Sequence, residues 1–184
     1  MTTKLNTVLG VVLVGIVGAA GCSSAPKAAE RPAPPRISDW EDFSPESESE
    51  RAFIGGQPSV EALREFKASG GMIVVNLRTD DEMARLPYYA SVVEAEGLEY
   101  VHVPTRGSEM GTSQYEVVRD AIDSADGPVL LHCGSGGRAM YMWAGHMTQS
   151  DGKSPDEAKA WCSAQREEPW EGGELAIDRI VSGE

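Results

Sequence analysis

Pro128-Val-Leu-Leu-His-Cys-Gly-Ser-Gly-Gly-Arg138 is the stretch that decides the fold of this 184-residue chain. Its residues 129–131 form a short apolar run after an Asp-Gly-Pro break, which predicts a buried β-strand. Cys133 stands where that strand ends, and the four small residues after it allow a tightly curved backbone. Residues 139–149 then show apolar side chains at helical spacing. The stretch therefore predicts a strand, a glycine-rich turn and a helix in immediate succession.

This turn has the features of an anion-binding site. Backbone N–H groups point into such a turn, and the positive end of the helix dipole lies beneath them. A thiol placed there is favoured as the thiolate, the nucleophilic form, and Arg138 adds a planar fork suited to an oxyanion. We therefore predict an anion site formed by Cys133, Arg138 and the loop residues Gly134, Ser135, Gly136 and Gly137. A structural turn with a buried, inert cysteine is the alternative.

Strands and helices alternate on both sides of this stretch. The predicted strands are 52–54, 72–77, 98–103 and 129–131. Helices are predicted after Ser59, over 86–96, after a Ser113–Glu116 capping box, over 139–149, after a Ser154–Glu157 capping box and over 175–181, with polar loops at 78–82 and 104–112. This alternation predicts an α/β fold with three layers, in which helices cover both faces of a mostly parallel sheet of about four strands. Ligands bind at the carboxyl ends of such strands, where Arg78, Arg106 and Cys133 fall.

The first fifty residues differ in composition from the rest of the chain. Residues 1–21 combine Lys4 with a short apolar run and end in small residues before Cys22, which predicts a secretory signal peptide. These small residues resemble the lipobox of bacterial lipoproteins. That resemblance implies a lipid on Cys22 that anchors the exported protein to a membrane, in the periplasm or at the outer membrane or cell surface. An ordinary secretory signal and an uncleaved anchor are the alternatives. Residues 22–50 are rich in proline and acidic residues, which predicts a disordered tether before a folded domain at 51–184.

Charge and cysteine content exclude several classes of function. The formal net charge is −13, so we expect no nucleic-acid partner, although a local pocket can still hold a small phosphorylated substrate. Cys22, Cys133 and Cys162 are each expected to have a different role, so no disulfide framework is predicted. No spacing of histidine and cysteine is typical of a metal site, and we expect no metal and no cofactor.

Four motifs carry a family resemblance. In order and spacing, the segments Phe53–Ser59, Val75–Arg78 with Glu82, Gly97–Pro104 and Pro128–Arg138 resemble the bacterial phosphatase-like domain of beta-lactamase-hydrolase-like proteins, within the protein tyrosine phosphatase superfamily. The resemblance covers roughly residues 51–149. It implies the protein tyrosine phosphatase-like fold and a Cys-based phosphatase for phosphate monoesters, whether small molecules or proteins.

The same resemblance implies residue roles. Cys133 would attack phosphorus and carry a phosphocysteine intermediate, while the loop amides of 134–137 and Arg138 would hold the phosphoryl oxygens. His132 would orient the loop and favour the thiolate. Arg78 is expected either to help hold the substrate or to pair with Asp80 or Glu82.

Three features depart from the superfamily's pattern. Four residues rather than five separate Cys133 from Arg138, and Ala139 stands where a serine or threonine usually follows the arginine. The loop 104–112, which usually supplies an aspartate as general acid, has no aspartate. Glu109 is its only carboxylate and is therefore our candidate for the catalytic acid, with a solvated loop residue as the alternative.

These departures leave two other functions open. A rhodanese-like sulfurtransferase also holds a cysteine in a glycine-containing loop, and Cys133 would then carry a persulfide. A non-catalytic module that binds phosphate is the third hypothesis. Among the remaining candidates, we expect His102 at the rim, His146 in packing and Cys162 half-buried, with a role for Cys162 as resolving thiol as the alternative.

Overall fold

The structure is a computed structural model that describes residues 51–166 and 168–184. The predicted signal peptide, the tether and the lipidation site Cys22 lie outside these residues, so export and membrane attachment remain predictions from the sequence. Among the described helices, none combines the length and the apolar character that a membrane span requires.

Four parallel strands form the central sheet, as predicted: β1 is Ala52–Gly55, β2 is Ile73–Asn76, β3 is Glu99–His102 and β4 is Val129–His132. The strand order is β1-β4-β2-β3, so β4 pairs with β1 on one side and β2 on the other. All four residues of β4 are buried. The carboxyl end of β4, and with it Cys133, therefore lies inside the row of strand ends rather than at the edge of the sheet.

Helices cover both faces of this sheet. The described helices are α1 Val60–Ala68, α2 Asp80–Met83, α3 Tyr89–Ala95, α4 Thr112–Ser124, α5 Gly137–Ser150, α6 Pro155–Ala164 and α7 Glu171–Ser182, with a short 3-10 turn at Gly107–Glu109. Successive side chains of a strand point to opposite faces. Accordingly, Val129 and Leu131 pack in the core formed with α4 to α7, whereas Leu130 packs in the core formed with α1 and α3. The predicted three-layer α/β fold is confirmed.

Two predicted helix starts are confirmed by their caps. The Ser59 side chain accepts a hydrogen bond from the Ala62 N–H, and Ser154 with Glu157 forms the predicted capping box of α6. The Ser113–Glu116 box is wrong. Helix α4 begins at Thr112 with Gly111 as its N-cap, two residues before the predicted cap, and the Gly111 N–H donates to the Gln114 side chain at 3.2 Å.

Other predicted boundaries shift by a few residues. The segment 78–82, predicted as a loop, contains α2, which has its own capping box of Thr79 and Glu82. The helix predicted from residue 86 begins at Tyr89, and the helix predicted from residue 139 begins at Gly137. The last helix is longer than predicted, because α7 begins at Glu171.

Candidate active site

A cavity of about 320 Å³ opens at the carboxyl end of β4. Its lining residues come from the loop after β4, the start of α5, the turn before α4 and the segment between α6 and α7: Gly107, Cys133, Ser135, Gly137, Arg138, Arg166 and Trp170. Cys133 is only 1% exposed, and its backbone N–H donates to the Gly55 carbonyl of β1 at 3.3 Å. The predicted nucleophile therefore lies at the bottom of a cavity and is anchored to the sheet.

The loop from Cys133 to Gly137 curls because Gly136 adopts a left-handed backbone conformation with φ of +89°. This conformation strains any residue with a Cβ atom. It brings the Gly136 N–H to the Cys133 sulfur, a hydrogen bond of 3.2 Å. The turn after β1 supports the outer side of the loop, where the Gln57 N–H donates to the Gly134 carbonyl at 3.0 Å. At Gly56 an added Cβ would lie 3.1 Å from that carbonyl, so a glycine allows this close approach.

The start of α5 favours negative charge at the loop. The helix runs for 14 residues from Gly137, immediately after the loop that holds Cys133, and its dipole places partial positive charge at this end. An N–H donor on sulfur and a helix N-terminus are both arrangements that stabilise a thiolate or a bound anion. The structure therefore brings Cys133, the glycine loop and the start of α5 together, and anion binding there stays a prediction.

Arg138 is fixed by a two-pronged ion pair with Glu82 of α2. Its Nη1 and Nη2 atoms donate to Oε2 and Oε1 of Glu82 at 2.8 and 2.7 Å. The hydrogen bonds from Arg138 lower the pKa of Glu82 to about 2, although partial burial opposes the shift. In return, the same bonds raise the pKa of Arg138. Glu82 is thus an anion throughout the neutral range and holds the guanidinium in one orientation.

Two backbone carbonyls also accept hydrogen bonds from Arg138. Its Nη1 also donates to the Leu77 carbonyl at 3.1 Å and to the Thr105 carbonyl at 2.9 Å. A guanidinium has five N–H donors, and these bonds use the Nη1 atom and one side of Nη2. The N–H groups on the Nε edge of the guanidinium are not used by these bonds. Arg138 lines the same cavity as Cys133. This edge is the part of Arg138 that can bind an oxyanion.

Arg78 lies next to Glu82 and is not among the residues that line the cavity. Its Nη1 donates to the Gln57 side chain at 2.7 Å, and its Nε lies 3.8 Å from Glu82 Oε1. Within the described residues, this Nε is buried without a hydrogen-bond acceptor. Of the two roles predicted for Arg78, pairing with Glu82 is the one that this placement favours.

His132 is neutral and forms a hydrogen bond with the backbone carbonyl of Cys133. Complete burial lowers its pKa to about 3. Its Nδ1 lies 3.2 Å from the Cys133 carbonyl and its Nε2 lies 3.0 Å from the Tyr89 hydroxyl. A carbonyl only accepts, so these partners assign the proton to Nδ1 and make Nε2 the acceptor from Tyr89. His132 can therefore orient the loop, as predicted, but it brings no positive charge to the thiol.

Tyr89→Phe is expected to destabilise the fold by about 1–2 kcal/mol, because it leaves the buried Nε2 of His132 without a donor. Tyr88→Phe is the matched control, since the neighbouring side chain is 77% exposed. We expect it to change the free energy of unfolding by less than about 0.5 kcal/mol. Urea denaturation of both variants measures this, and equal effects would show that the Tyr89 hydroxyl does not support His132.

Glu109 and Arg106, the two candidates from the loop before α4, do not line the cavity. Glu109 is exposed in the 3-10 turn, and Arg106 pairs at 3.5 Å with Asp81, where both side chains are largely exposed. The described residues that line the cavity include no carboxylate. The placement therefore favours the solvated alternative for Glu109.

The minor candidates have structural surroundings. The Nε2–H of His102 donates to the Arg78 carbonyl at 2.7 Å. His146 is buried and stacks on Trp143, with ring centroids 4.8 Å apart. Cys162 is fully buried rather than half-buried, and burial raises its pKa to about 12, so its thiol is inert in this state.

Sequence reasoning missed three of the residues that line the cavity: Gly107 in the turn before α4, and two side chains from a later segment of the chain. Arg166 and Trp170 lie in the segment between α6 and α7 and line the cavity beside Cys133. No motif connects them to Cys133, which is more than 30 positions earlier in the chain. Only the packing of α6 and α7 on α5 brings them there.

Comparisons with known proteins identify the family of this chain. The family model described as "Beta-lactamase hydrolase-like protein, phosphatase-like domain" matches residues 51–151. A beta-lactamase hydrolase-like protein from Xylella fastidiosa (strain Temecula1) is 32% identical over 99 residues, which are 52% of this chain and 23% of that protein. The match thus spans less than a quarter of the length of these curated relatives.

Solved structures share the fold. A candidate phosphatase (DUF442) from Shewanella putrefaciens CN-32 aligns with a TM-score of 0.65 at 16% identity, covering 80% of this chain and 95% of the other. The phosphotyrosine complex of a Cys-to-Ser variant of P. aeruginosa TpbA aligns with a TM-score of 0.52 at 18% identity, covering 73% and 78%. At such identities the similarity shows the fold alone.

Proposed function

Because this chain belongs to the family of beta-lactamase hydrolase-like protein, phosphatase-like domains, we propose that it hydrolyses phosphate monoesters with Cys133 as the nucleophile. One observation carries the proposal. The Cys133 sulfur accepts the Gly136 N–H at the start of α5, in a cavity shared with an Arg138 that Glu82 holds in place. Nucleophile, anion-binding helix end and fixed cation are the parts that phosphoryl transfer through a thiolate requires.

In the first step the Cys133 thiolate attacks phosphorus. The S–P bond forms as the bond between phosphorus and the ester oxygen breaks, and the leaving group takes the electron pair. Negative charge builds on the phosphoryl oxygens, where the loop amides of 134–137 and the Nε edge of Arg138 stabilise it. In the second step a water molecule attacks phosphorus, inorganic phosphate leaves and the thiolate is regenerated.

A phosphorylated substrate is the partner that this chemistry implies. The TpbA structure holds phosphotyrosine on the same fold, which makes aryl phosphates the first class to test on this chain. Whether the natural substrate is a protein or a small molecule is left to that test.

The experiment uses the full chain, kept reduced, in two assays. One follows hydrolysis of p-nitrophenyl phosphate, and the other follows sulfur transfer from thiosulfate to cyanide. A third measurement records the melting temperature with and without vanadate, an oxyanion that resembles the phosphoryl group in its transition state.

The proposal expects phosphate release that vanadate inhibits. Sulfur transfer without phosphate release would overturn it in favour of a persulfide on Cys133. If neither assay shows activity and vanadate still raises the melting temperature, the proposal is also overturned. The protein would then be a non-catalytic module that binds phosphate.

A further inference from the structure

Two residues outside the family match form one wall of the cavity. The match ends at residue 151, whereas Arg166 and Trp170 follow α6. The cavity of about 320 Å³ is large enough for more than a phosphoryl group, since small-molecule sites begin near this volume. This wall therefore meets the part of a substrate that is not the phosphate.

Trp170 is a fixed, half-buried aromatic surface. Its backbone N–H donates to the Tyr141 hydroxyl at 3.1 Å, and the two rings meet edge to face with centroids 5.4 Å apart. The indole lies so close to Gly107 that a Cβ added there would be 2.6 Å from its Cζ2 atom. Tyr141 is completely buried in α5, so its contacts hold Trp170 beside the cavity.

Arg166 is a second cation at the same wall. Its Nε donates to the Glu168 carbonyl at 3.2 Å, and its Nη1 would lie 3.3 Å from a Cβ added at Gly137, the first residue of α5. No carboxylate of the described residues forms an ion pair with it. Arg138, in contrast, is neutralised by Glu82. Among the described residues, Arg166 is thus a cation of the cavity that no carboxylate pairs with.

The described residues that line the cavity include no carboxylate. None of them can protonate the ester oxygen as a carboxylic acid would, so this oxygen leaves as an anion unless water protonates it. A phenolate leaves far more readily than an alkoxide, because phenols have pKa values about six units lower than simple alcohols. The cavity chemistry therefore favours esters of aromatic hydroxyls.

We propose that Arg166 and Trp170 select phosphate esters whose leaving group is an aromatic ring that carries a second anionic group. The ring lies against the indole of Trp170, and the second anion pairs with Arg166. This inference rests on the proposed function, because it describes the substrate of the same site.

The test compares two substrates of nearly equal shape, 4-carboxyphenyl phosphate and 4-carbamoylphenyl phosphate. We expect the full chain to prefer the carboxylate by about fivefold in kcat/KM at low salt, and Arg166→Gln to remove this preference. Arg119→Gln, a surface arginine on α4, is the matched control and should keep it. Equal rates on both substrates, or a preference that survives Arg166→Gln, would overturn the role of Arg166.

Trp170→Leu is expected to raise KM for both substrates about tenfold, whereas Trp170→Phe should retain most of the affinity because it keeps a ring. Melting temperatures confirm that each variant is folded. If Trp170→Leu does not fold, the affinities of the wild-type chain and of Trp170→Phe for 4-carboxybenzylphosphonate and for methylphosphonate are measured instead. A wild-type chain without preference for the benzyl compound would overturn the role of Trp170.

Binding of phosphonates separates this inference from the proposed function, since they cannot be hydrolysed. The full chain and Arg166→Gln are titrated with 4-carboxybenzylphosphonate and 4-carbamoylbenzylphosphonate. A carboxylate preference that depends on Arg166, without turnover of either phosphate ester, would sustain the specificity wall and overturn catalysis. Turnover of both esters without any preference in rate or binding would sustain catalysis and overturn the wall.

Discussion

Replacing Cys133 by serine is expected to lower kcat/KM for p-nitrophenyl phosphate by about a thousandfold or more, while oxyanion binding persists. A serine hydroxyl stays protonated near neutral pH and needs a general base, and the lining residues that the structure describes include no carboxylate or histidine for that role. The hydroxyl can still accept the Gly136 N–H, so the loop keeps its shape. Arg138 and the start of α5 are unchanged, and these are the groups that attract an anion.

Two measurements check this expectation. Phosphate release should disappear in Cys133→Ser, whereas vanadate or phosphate should still raise its melting temperature. Cys162→Ser is the matched control, because its thiol is fully buried in α6 outside the cavity. It should retain activity and lose some stability. Hydrolysis that continues in Cys133→Ser would remove the thiol from the mechanism.

The parts of the site that the sequence predicted are those built from one short segment. Strand β4, the glycine loop and the start of α5 are adjacent in the chain, so a pattern of apolar and small residues was enough to place Cys133 at a strand end beside Arg138. The caps at Ser59 and Ser154 were predictable for the same reason, because a capping hydrogen bond spans three residues.

Local patterns fail where distant segments decide the boundary. Ser113 and Glu116 have the spacing of a capping box, yet α4 begins at Thr112. The Thr112 N–H donates to the Glu184 carbonyl at 2.8 Å, and the Thr112 hydroxyl donates to the Arg179 carbonyl of α7 at 3.1 Å. These contacts with the end of the chain fix the helix start. The same limit explains why Arg166 and Trp170 were missed.

The ion pair of Glu82 and Arg138 shows what the sequence leaves undecided. Glu82 belonged to a family motif, and the sequence indicated Arg78 as a candidate partner for it. Its strongest partner is Arg138, 56 positions along the chain, whereas Arg78 stays 3.8 Å away. Thr79 and Glu82 also form the capping box of α2, so the start of this short helix positions the Glu82 carboxylate that binds Arg138. The partner of Glu82 is therefore determined by the topology of the fold and not by spacing in the sequence.

Glu82→Gln is accordingly expected to weaken both the fold and catalysis. The amide keeps the shape of the carboxylate and loses its charge, so Arg138, with 16% of its side chain exposed, lacks a counter-ion. The Glu82 side chain is 32% exposed, and solvent screening reduces the expected loss to about 1–2 kcal/mol. A less firmly held Arg138 binds the phosphoryl oxygens less well, for an expected loss of about 10- to 100-fold in kcat/KM.

The stability difference between wild type and Glu82→Gln should also depend on pH. In the folded protein the pKa of Glu82 is lowered to about 2 from an ordinary value of 4.5. A lowered carboxyl pKa contributes stability above the unfolded value, so the contribution is complete above about pH 5 and is lost as the pH falls from 4.5 toward 2. Urea denaturation at pH 7 and pH 3 should therefore show a difference that falls to about half or less at pH 3.

Glu116→Gln is the control for this pH dependence, because Glu116 is exposed on α4 and forms no ion pair among the described residues. It should change the free energy of unfolding by less than about 0.5 kcal/mol at both pH values. A Glu82→Gln difference that stays constant from pH 7 to pH 3 would mean that the charge of Glu82 does not stabilise the fold. The loss of activity would then have to come from changed hydrogen bonds of the Glu82 side chain rather than from its charge.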